Sequence, residues 1–216
     1  MNVDVNQDPP AAGPRAGVPP VGRRERKKAR TRQALADAAL RLFLERGYDQ
    51  VGVKEVADAA DVSVTTLFKH FPCKEALVFD LDDDIEASLV AAVRDRPAGQ
   101  SVPEALRDRL LNGPEWPSAE DDEEFAAFSR MVESTPALID YRHRMWLRHE
   151  AALARAIAEE EGAPPDDVVC AALARFTLES SFLARRQPDP QEAVRRVFAL
   201  LERGWETARP GRAGGT

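Results

Sequence analysis

The segment SVTTLFKHFPCKEAL, residues 63 to 77, carries hydrogen-bonding side chains at helical spacing. Leu67 and Phe71 are four residues apart and predict the buried stripe of a short helix. Pro72 ends that helix, because its ring prevents the next helical hydrogen bond. The other residues of this helix are an aromatic, Phe68, and residues whose side chains donate or accept hydrogen bonds: Thr65, Thr66, Lys69 and His70. These groups predict non-covalent recognition of a polar partner.

Two further predicted helices must position this face. Between Arg30 and Arg46 apolar residues recur three and four positions apart, which predicts an amphipathic helix closed by Gly47. A second, short helix is predicted from Val53 to Ala60. A tight turn then leads to Ser63, which is placed to cap the third helix by accepting a backbone N–H.

A supporting helix followed by two short helices with a tight turn between them is the layout of a helix-turn-helix DNA reader. The third helix would then enter the major groove, which is about 12 Å wide. We expect Thr65, Thr66 and Lys69 to face base edges, and His70 and Lys74 to lie against phosphates. The alternative is that the three helices belong to an ordinary bundle.

Charge is distributed unevenly along the chain. The net charge of the 216 residues is −7. Residues 23 to 32, RRERKKARTR, nevertheless hold seven basic groups and one acid. A polyanion such as double-stranded DNA is the expected partner of this run, with Arg26, Lys27, Lys28 and Arg30 along the backbone or in the minor groove. The alternative is a solvated basic tail.

Residues 26 to 80 resemble the N-terminal DNA-binding domain of the TetR family of bacterial transcriptional regulators. The shared elements are Val62-Ser63, Thr66-Leu67, Phe68, His70-Phe71 and Lys74-Glu75 with Leu77. The resemblance implies an all-α protein. Its three-helix helix-turn-helix domain would be joined by a long helix to an all-helical ligand-binding and dimerisation domain.

The sequence departs from the family pattern at four positions. Gly52 and Val53, at the start of the second helix, and Ser63 are also expected to contact DNA. Gly52 replaces a common Thr, so we expect its phosphate contact to use only backbone N–H. Asp61 replaces a turn Gly, and Asp tolerates the left-handed conformation. Phe68 lacks the phenolic hydroxyl of a common Tyr, and Cys73 replaces a common Ser cap.

We expect four segments along the chain. They are a disordered arm (1–22), the helix-turn-helix domain (23–73), a helical effector-binding and dimerisation domain (74–209) and a frayed tail (210–216). Apolar spacing predicts the helices of the third segment at 74–94, 103–111, 120–133, 136–161, 166–185 and 190–208.

The resemblance implies a homodimer built from the last two helices. We expect its interface to include Phe182, Val194, Phe198, Leu201 and Trp205. The alternative is that these residues pack within one subunit.

The resemblance also implies a small-molecule effector, which the sequence does not identify. Arg142 and His149 fall near the middle of an apolar arc on the predicted helix 136–161, and Glu179 falls in that of the next helix. Either Arg142 or His149 pairs with Glu179 as internal structure, or the two basic residues line an effector pocket. In the second case the ligand has an apolar body and an anionic or hydrogen-bond-accepting group. We expect that pocket to comprise Phe128, Met131, Arg142, Met145, Trp146, His149, Phe176 and Glu179.

Other function classes lack sequence support. HExxH, GxSxG, P-loop and GxGxxG motifs do not occur, so we expect no catalytic residue, metal or cofactor. The acidic run Asp82-Asp83-Asp84 with Glu86 is interpreted as a solvated helix face. No signal peptide or membrane-spanning segment is expected, and the predicted location is the cytoplasm, on the nucleoid.

The predicted function is therefore a TetR-type regulator, a repressor released from a palindromic operator by a small molecule. The alternatives are an activator or effector-independent regulator of the same fold, a helical enzyme, or a lipid-binding bundle.

Overall fold

The computed structural model describes residues 22–113 and 122–208. Within these ranges the chain is all-α, with two 3-10 turns and no strand. The predicted fold class is confirmed. The helices are α1 (Arg23–Arg46), α2 (Val53–Ala59), α3 (Val64–His70), α4 (Asp82–Arg94), α5 (Val102–Leu111), α6 (Asp122–Ser134), α7 (Pro136–Glu161), α8 (Val168–Arg185) and α9 (Pro190–Ala208). None of these helices is long and apolar enough to cross a bilayer.

The first helix is longer than its apolar spacing indicated. It begins at Arg23 rather than Arg30, so the basic run is two further turns of α1. The predicted disordered arm lies outside the described residues, apart from Gly22. Gly47 ends the helix with a φ of 88°, a conformation that a residue with a Cβ rarely adopts.

The helix-turn-helix domain has its own apolar core. The inward faces of α1, α2 and α3 meet at Leu35, Phe43, Val56, Leu67 and Phe71, each at most 1% exposed. Val132 of α6 and Leu138 of α7 join the same core. The α6–α7 corner therefore packs directly against the DNA-binding helices.

The prediction of one long helix from residue 74 to 94 is wrong, because the helix is shorter than predicted. A 3-10 turn at Glu75–Leu77 comes first, and α4 begins only at Asp82. The carbonyl of Asp80 accepts a hydrogen bond from Arg32 Nη2 at 2.6 Å, a partner outside the helix. The three aspartates that follow are favourable in the first turn of a helix, where the backbone dipole is positive.

The predicted dimer interface on α9 needs correction. Val194 and Phe198 are 0% exposed and Trp205 is 9% exposed, all inside the core of their own subunit. Leu201 is half-buried against the same core. These residues form the inward stripe of α9, since α5 and α8 pack against it. A broad apolar stripe cannot by itself distinguish an inner face from a subunit contact.

His149 has a different partner from the one predicted. It is 1% exposed, and its Nε2 is hydrogen-bonded at 2.6 Å to Oδ1 of Asp82 at the start of α4. Arg148 binds the other carboxylate oxygen of Asp82. Glu179, the predicted partner, is exposed on α8. Asp82 is thus buried with two partners, which corrects the solvated-face interpretation for this residue, while Asp83 and Asp84 are exposed as expected.

Three other predicted pocket residues also need correction. Phe176 is 53% exposed on α8, so it cannot be a wall of an internal pocket within one subunit. Phe128 and Met131 pack against the core of the DNA-binding domain rather than deep in the body. Arg142 is half-buried, and Met145 is buried beside half-buried Trp146.

Candidate nucleic-acid interface

The turn between α2 and α3 is closed by the residues that the sequence indicated. Asp61 has a φ of 53°, the left-handed conformation that a turn Gly commonly supplies. Ser63 caps α3, because its Oγ accepts the backbone N–H of Thr66 at 3.1 Å. Leu67 and Phe71 are buried and pack α3 against the core, as their spacing predicted. The turn and the cap fix α3 relative to α2, so its outer face is presented as one surface.

That outer face is formed by Thr65, Phe68 and Lys69, all of them exposed. Within the described residues the Lys69 ammonium makes no hydrogen bond or ion pair, so it can donate to guanine O6 and N7. The Phe68 ring is 48% exposed and can contact a thymine methyl. Thr66 is half-buried, and its hydroxyl shares a 2.9 Å hydrogen bond with Ser63 Oγ. Base reading by Thr65 and Lys69 stays a prediction, while Thr66 belongs mainly to the cap.

His70 is a weaker candidate for a phosphate contact than the sequence suggested. Its Nδ1 is buried without a hydrogen-bond partner in the described residues, which leaves only Nε2 for DNA. Burial holds the pKa of His70 below its usual value, and Lys28 and Arg32 lower it further. The ring is therefore neutral near pH 7 and gains little from a phosphate charge.

Lys74 does not lie free against DNA, which corrects its predicted role. Its Nζ donates to the carbonyl of Tyr48 at 2.6 Å and lies 4.0 Å from the centroid of the Tyr48 ring. Burial lowers the pKa of Lys74. The ammonium is thus used to join the segment after α3 to the end of α1, a cation–π contact in a half-buried position.

The predicted backbone contact at Gly52 is also corrected. Its N–H donates to Glu55 Oε2 at 2.9 Å, and Arg46 donates to the other carboxylate oxygen at 2.7 Å. That N–H is therefore not available to a phosphate. The side chain of Val53, the first residue of α2, is half-buried.

A basic groove of about 940 Å³ separates the start of α1 from the α2–α3 turn. Its walls include Arg23, Arg26, Lys27 and Arg30 on one side, and residues 60 to 63 with Thr66 on the other. The four cations lie on one side of α1 because they are spaced three, four and seven residues apart. Arg23 is absent from the sequence-based site, although this spacing could have revealed it. The groove can hold a sugar-phosphate strand beside the reading face of α3.

This arrangement of side chains is suited to binding DNA. In the described part of the chain, no three His, Cys, Asp or Glu residues cluster so as to hold a metal ion. The side chains around α3 are donors, cations and an apolar ring. Their positions predict two tasks: the cations along the groove contact phosphates, and the face of Thr65, Phe68 and Lys69 on α3 contacts bases.

Comparisons with known proteins agree with this geometry. The family model described as bacterial regulatory proteins, tetR family, matches residues 35–81. The HTH-type transcriptional regulator TcmR of Streptomyces glaucescens is 36% identical over 157 residues, which cover 68% of this chain and 67% of that protein. The HTH-type transcriptional repressor AcnR of Corynebacterium diphtheriae is 26% identical over 191 residues, covering 83% and 93% of the two chains.

A solved structure shares the fold. NalD, the secondary repressor of the MexAB-OprM multidrug efflux pump in Pseudomonas aeruginosa, superimposes with a TM-score of 0.53 at 19% identity. The superposition covers 82% of this chain and 97% of that one. At this identity the likeness concerns the fold alone.

The two tasks predict different effects for two lysine substitutions. Lys69→Ala should cost about 1–3 kcal/mol of binding free energy on the matched site and relax specificity at one base pair. Lys27→Ala should weaken binding to all sequences alike and reduce the slope of log K against log salt concentration by about 1. Arg155→Ala, an exposed change on α7, is the control. Titrations of matched and mismatched DNA at several salt concentrations measure both effects, and equal base preferences in all four proteins would contradict the assignment.

Proposed function

The chain belongs to the TetR family of bacterial regulatory proteins and is a DNA-binding transcriptional regulator, and from this premise we propose that it is a homodimeric repressor released from a two-fold symmetric operator by a small molecule. The observation that carries the proposal is the exposed reading face of α3 beside the basic groove of α1. Repression is favoured because a protein seated in the major groove occludes a promoter without further parts. We infer that it acts in the cytoplasm, on the chromosome.

The proposed dimer contact is the exposed apolar face of α8 and α9. Val168, Phe176 and Leu183 recur on one side of α8 and are 76%, 53% and 57% exposed. Leu200 of α9 is 64% exposed. Large apolar side chains grouped on adjacent helices are costly in water and typical of a subunit contact. This surface replaces Val194, Phe198 and Trp205 in the interface, while Phe182, at 38% exposed, lies at its edge.

A dimer is required for operator binding in this proposal, because two reading helices read two half-sites in inverted repeat. Wild-type protein should sediment as a dimer at micromolar concentration and protect an inverted repeat in the DNA flanking its own gene. Phe176→Asp should yield a helical monomer that gives no footprint. Leu147→Asp, a change of an equally exposed apolar residue on α7, should leave the dimer and the footprint unchanged. A wild-type monomer that protects the site would overturn the dimer.

The proposed effector site lies in the body between α7 and α8, which pack against each other. Two polar atoms there are buried without hydrogen-bond partners in the described residues, His149 Nδ1 and Thr177 Oγ1. Such groups are expensive to bury unless something satisfies them. The Trp146 ring lies 5.9 Å from the His149 ring and 4.9 Å from the ring of the more exposed Phe182, so these aromatic contacts lead from the surface to the buried His149. Half-buried Arg142 on the same helix is proposed to serve an anionic or hydrogen-bond-accepting group.

This site predicts a selective loss of release. Compounds are screened for dissociation of labelled operator DNA from the wild-type protein. Thr177→Val removes the buried hydroxyl at constant shape, so it should raise the concentration needed for release about tenfold while operator affinity stays unchanged. Thr207→Val on exposed α9 is the matched control. Release of the Thr177→Val protein at the wild-type concentration would exclude Thr177 from the sensor.

A further inference from the structure

Phe68 is the large apolar side chain that the DNA-binding domain leaves exposed. Between residues 22 and 80 every other large apolar side chain is buried or half-buried, whereas the Phe68 ring is 48% exposed. Leu67 and Phe71, its neighbours on α3, are at most 1% exposed. The core of the domain therefore does not use the Phe68 ring, which is left available to a partner of this surface.

The position of Phe68 on α3 is turned away from the basic groove. Thr66 lines that groove, and Phe68 follows two residues later, about 200° around the helix axis at 100° per residue. On the outer side of the helix, Thr65 and Lys69 lie between these two positions. The helix therefore has two unlike flanks, one beside the cations of α1 and the other apolar.

The apolar flank is poorly suited to a phosphate. The face of an aromatic ring carries a partial negative charge, and phenylalanine has no hydroxyl group that could donate a hydrogen bond. Two groups outside the groove that were expected to bind phosphates are used within the protein. The Gly52 N–H donates to Glu55, and the Lys74 ammonium donates to the carbonyl of Tyr48. A base edge is therefore a better partner for Phe68 than the DNA backbone.

The base edges in the major groove present one apolar group, the C5-methyl of thymine. A contact between this methyl and the Phe68 ring removes both from water, and the burial of one such carbon corresponds to about fourfold in affinity. Cytosine and uracil lack the methyl, whereas 5-methylcytosine carries it at the same ring position. Because the phenyl ring makes no conventional hydrogen bond, it has no means of distinguishing thymine from 5-methylcytosine by their donors and acceptors.

We propose that Phe68 is a specificity-determining residue that reads the 5-methyl group of a pyrimidine at one position of the DNA site contacted by α3. It selects thymine over cytosine and uracil at that position and accepts 5-methylcytosine. A site with cytosine there becomes a better site when that cytosine is methylated. The inference rests on the proposed reading of the major groove by α3, and it is independent of dimerisation, repression and the effector.

Removal of single methyl groups from bound DNA tests the proposal. The best-bound duplex is selected from a random-sequence library with the full-length wild-type protein, and each thymine is then replaced in turn by uracil, which deletes only the methyl. Affinity should fall about fourfold at a thymine next to the base pair at which Lys69→Ala relaxes specificity. A cytosine–guanine pair at this position should bind more weakly than the thymine–adenine pair, and 5-methylation of that cytosine should regain about fourfold.

Two variants assign the effect to the ring. Phe68→Ala should bind the thymine and uracil duplexes equally at that position. Leu147→Ala, a change of an equally exposed apolar residue on α7, should keep the fourfold difference. Alanine is a good helix former, so the Phe68→Ala protein is expected to fold, and its helical content is checked by circular dichroism.

The wild-type protein alone can overturn the proposal, if no thymine-to-uracil replacement lowers its affinity. A loss that persists unchanged in Phe68→Ala would also overturn it, by assigning the methyl contact to another residue. Lys69→Ala separates this failure from a failure of base reading by α3. Relaxed specificity in Lys69→Ala would show that α3 still reads bases, whereas unchanged specificity, or a library without any enriched duplex, would contradict base reading and this proposal together.

Discussion

The guanidinium of Arg32 donates one hydrogen bond to the carbonyl of His70 at 2.9 Å and another to the carbonyl of Asp80 at 2.6 Å. Its plane also lies over the Phe71 ring. One side chain of α1 therefore holds the end of the reading helix and the residue from which the chain enters α4. The planar fork of arginine suits this double contact, and a lysine could not reproduce it. The direction of α3 relative to the body depends on this contact.

The start of α4 is held from its other side by the body. Asp82 is buried, with His149 and Arg148 of α7 on its two carboxylate oxygens. The short segment from residue 80 to 82 is thus fixed to the DNA-binding domain through a carbonyl and to the body through a carboxylate. In the proposed mechanism, a ligand that displaced α7 would move the same segment that Arg32 connects to α3. The proposed coupling between sensing and reading passes through this shared segment.

Local patterns in the sequence were enough to predict the helix-turn-helix. The Leu67–Phe71 spacing, the Ser63 cap and the Asp61 turn are each determined by residues within a few positions, and all three are confirmed. Long-range partners were not predictable in this way. Lys74 binds a carbonyl 26 residues away, and His149 binds a carboxylate 67 residues away. Periodicity shows that a face is apolar but not which neighbour covers it, which explains the errors at Phe198 and Trp205.

The central claim is that Arg32 sets the direction of the reading helix without contacting DNA. The direct measurement is the operator affinity of Arg32→Lys as a function of salt concentration, with Arg41→Lys at the exposed far end of α1 as the control. The account predicts a loss of affinity of at least about tenfold, with helical content and the salt slope unchanged, because no phosphate contact is removed. Affinity within about twofold of wild type, in a folded Arg32→Lys protein, would contradict it.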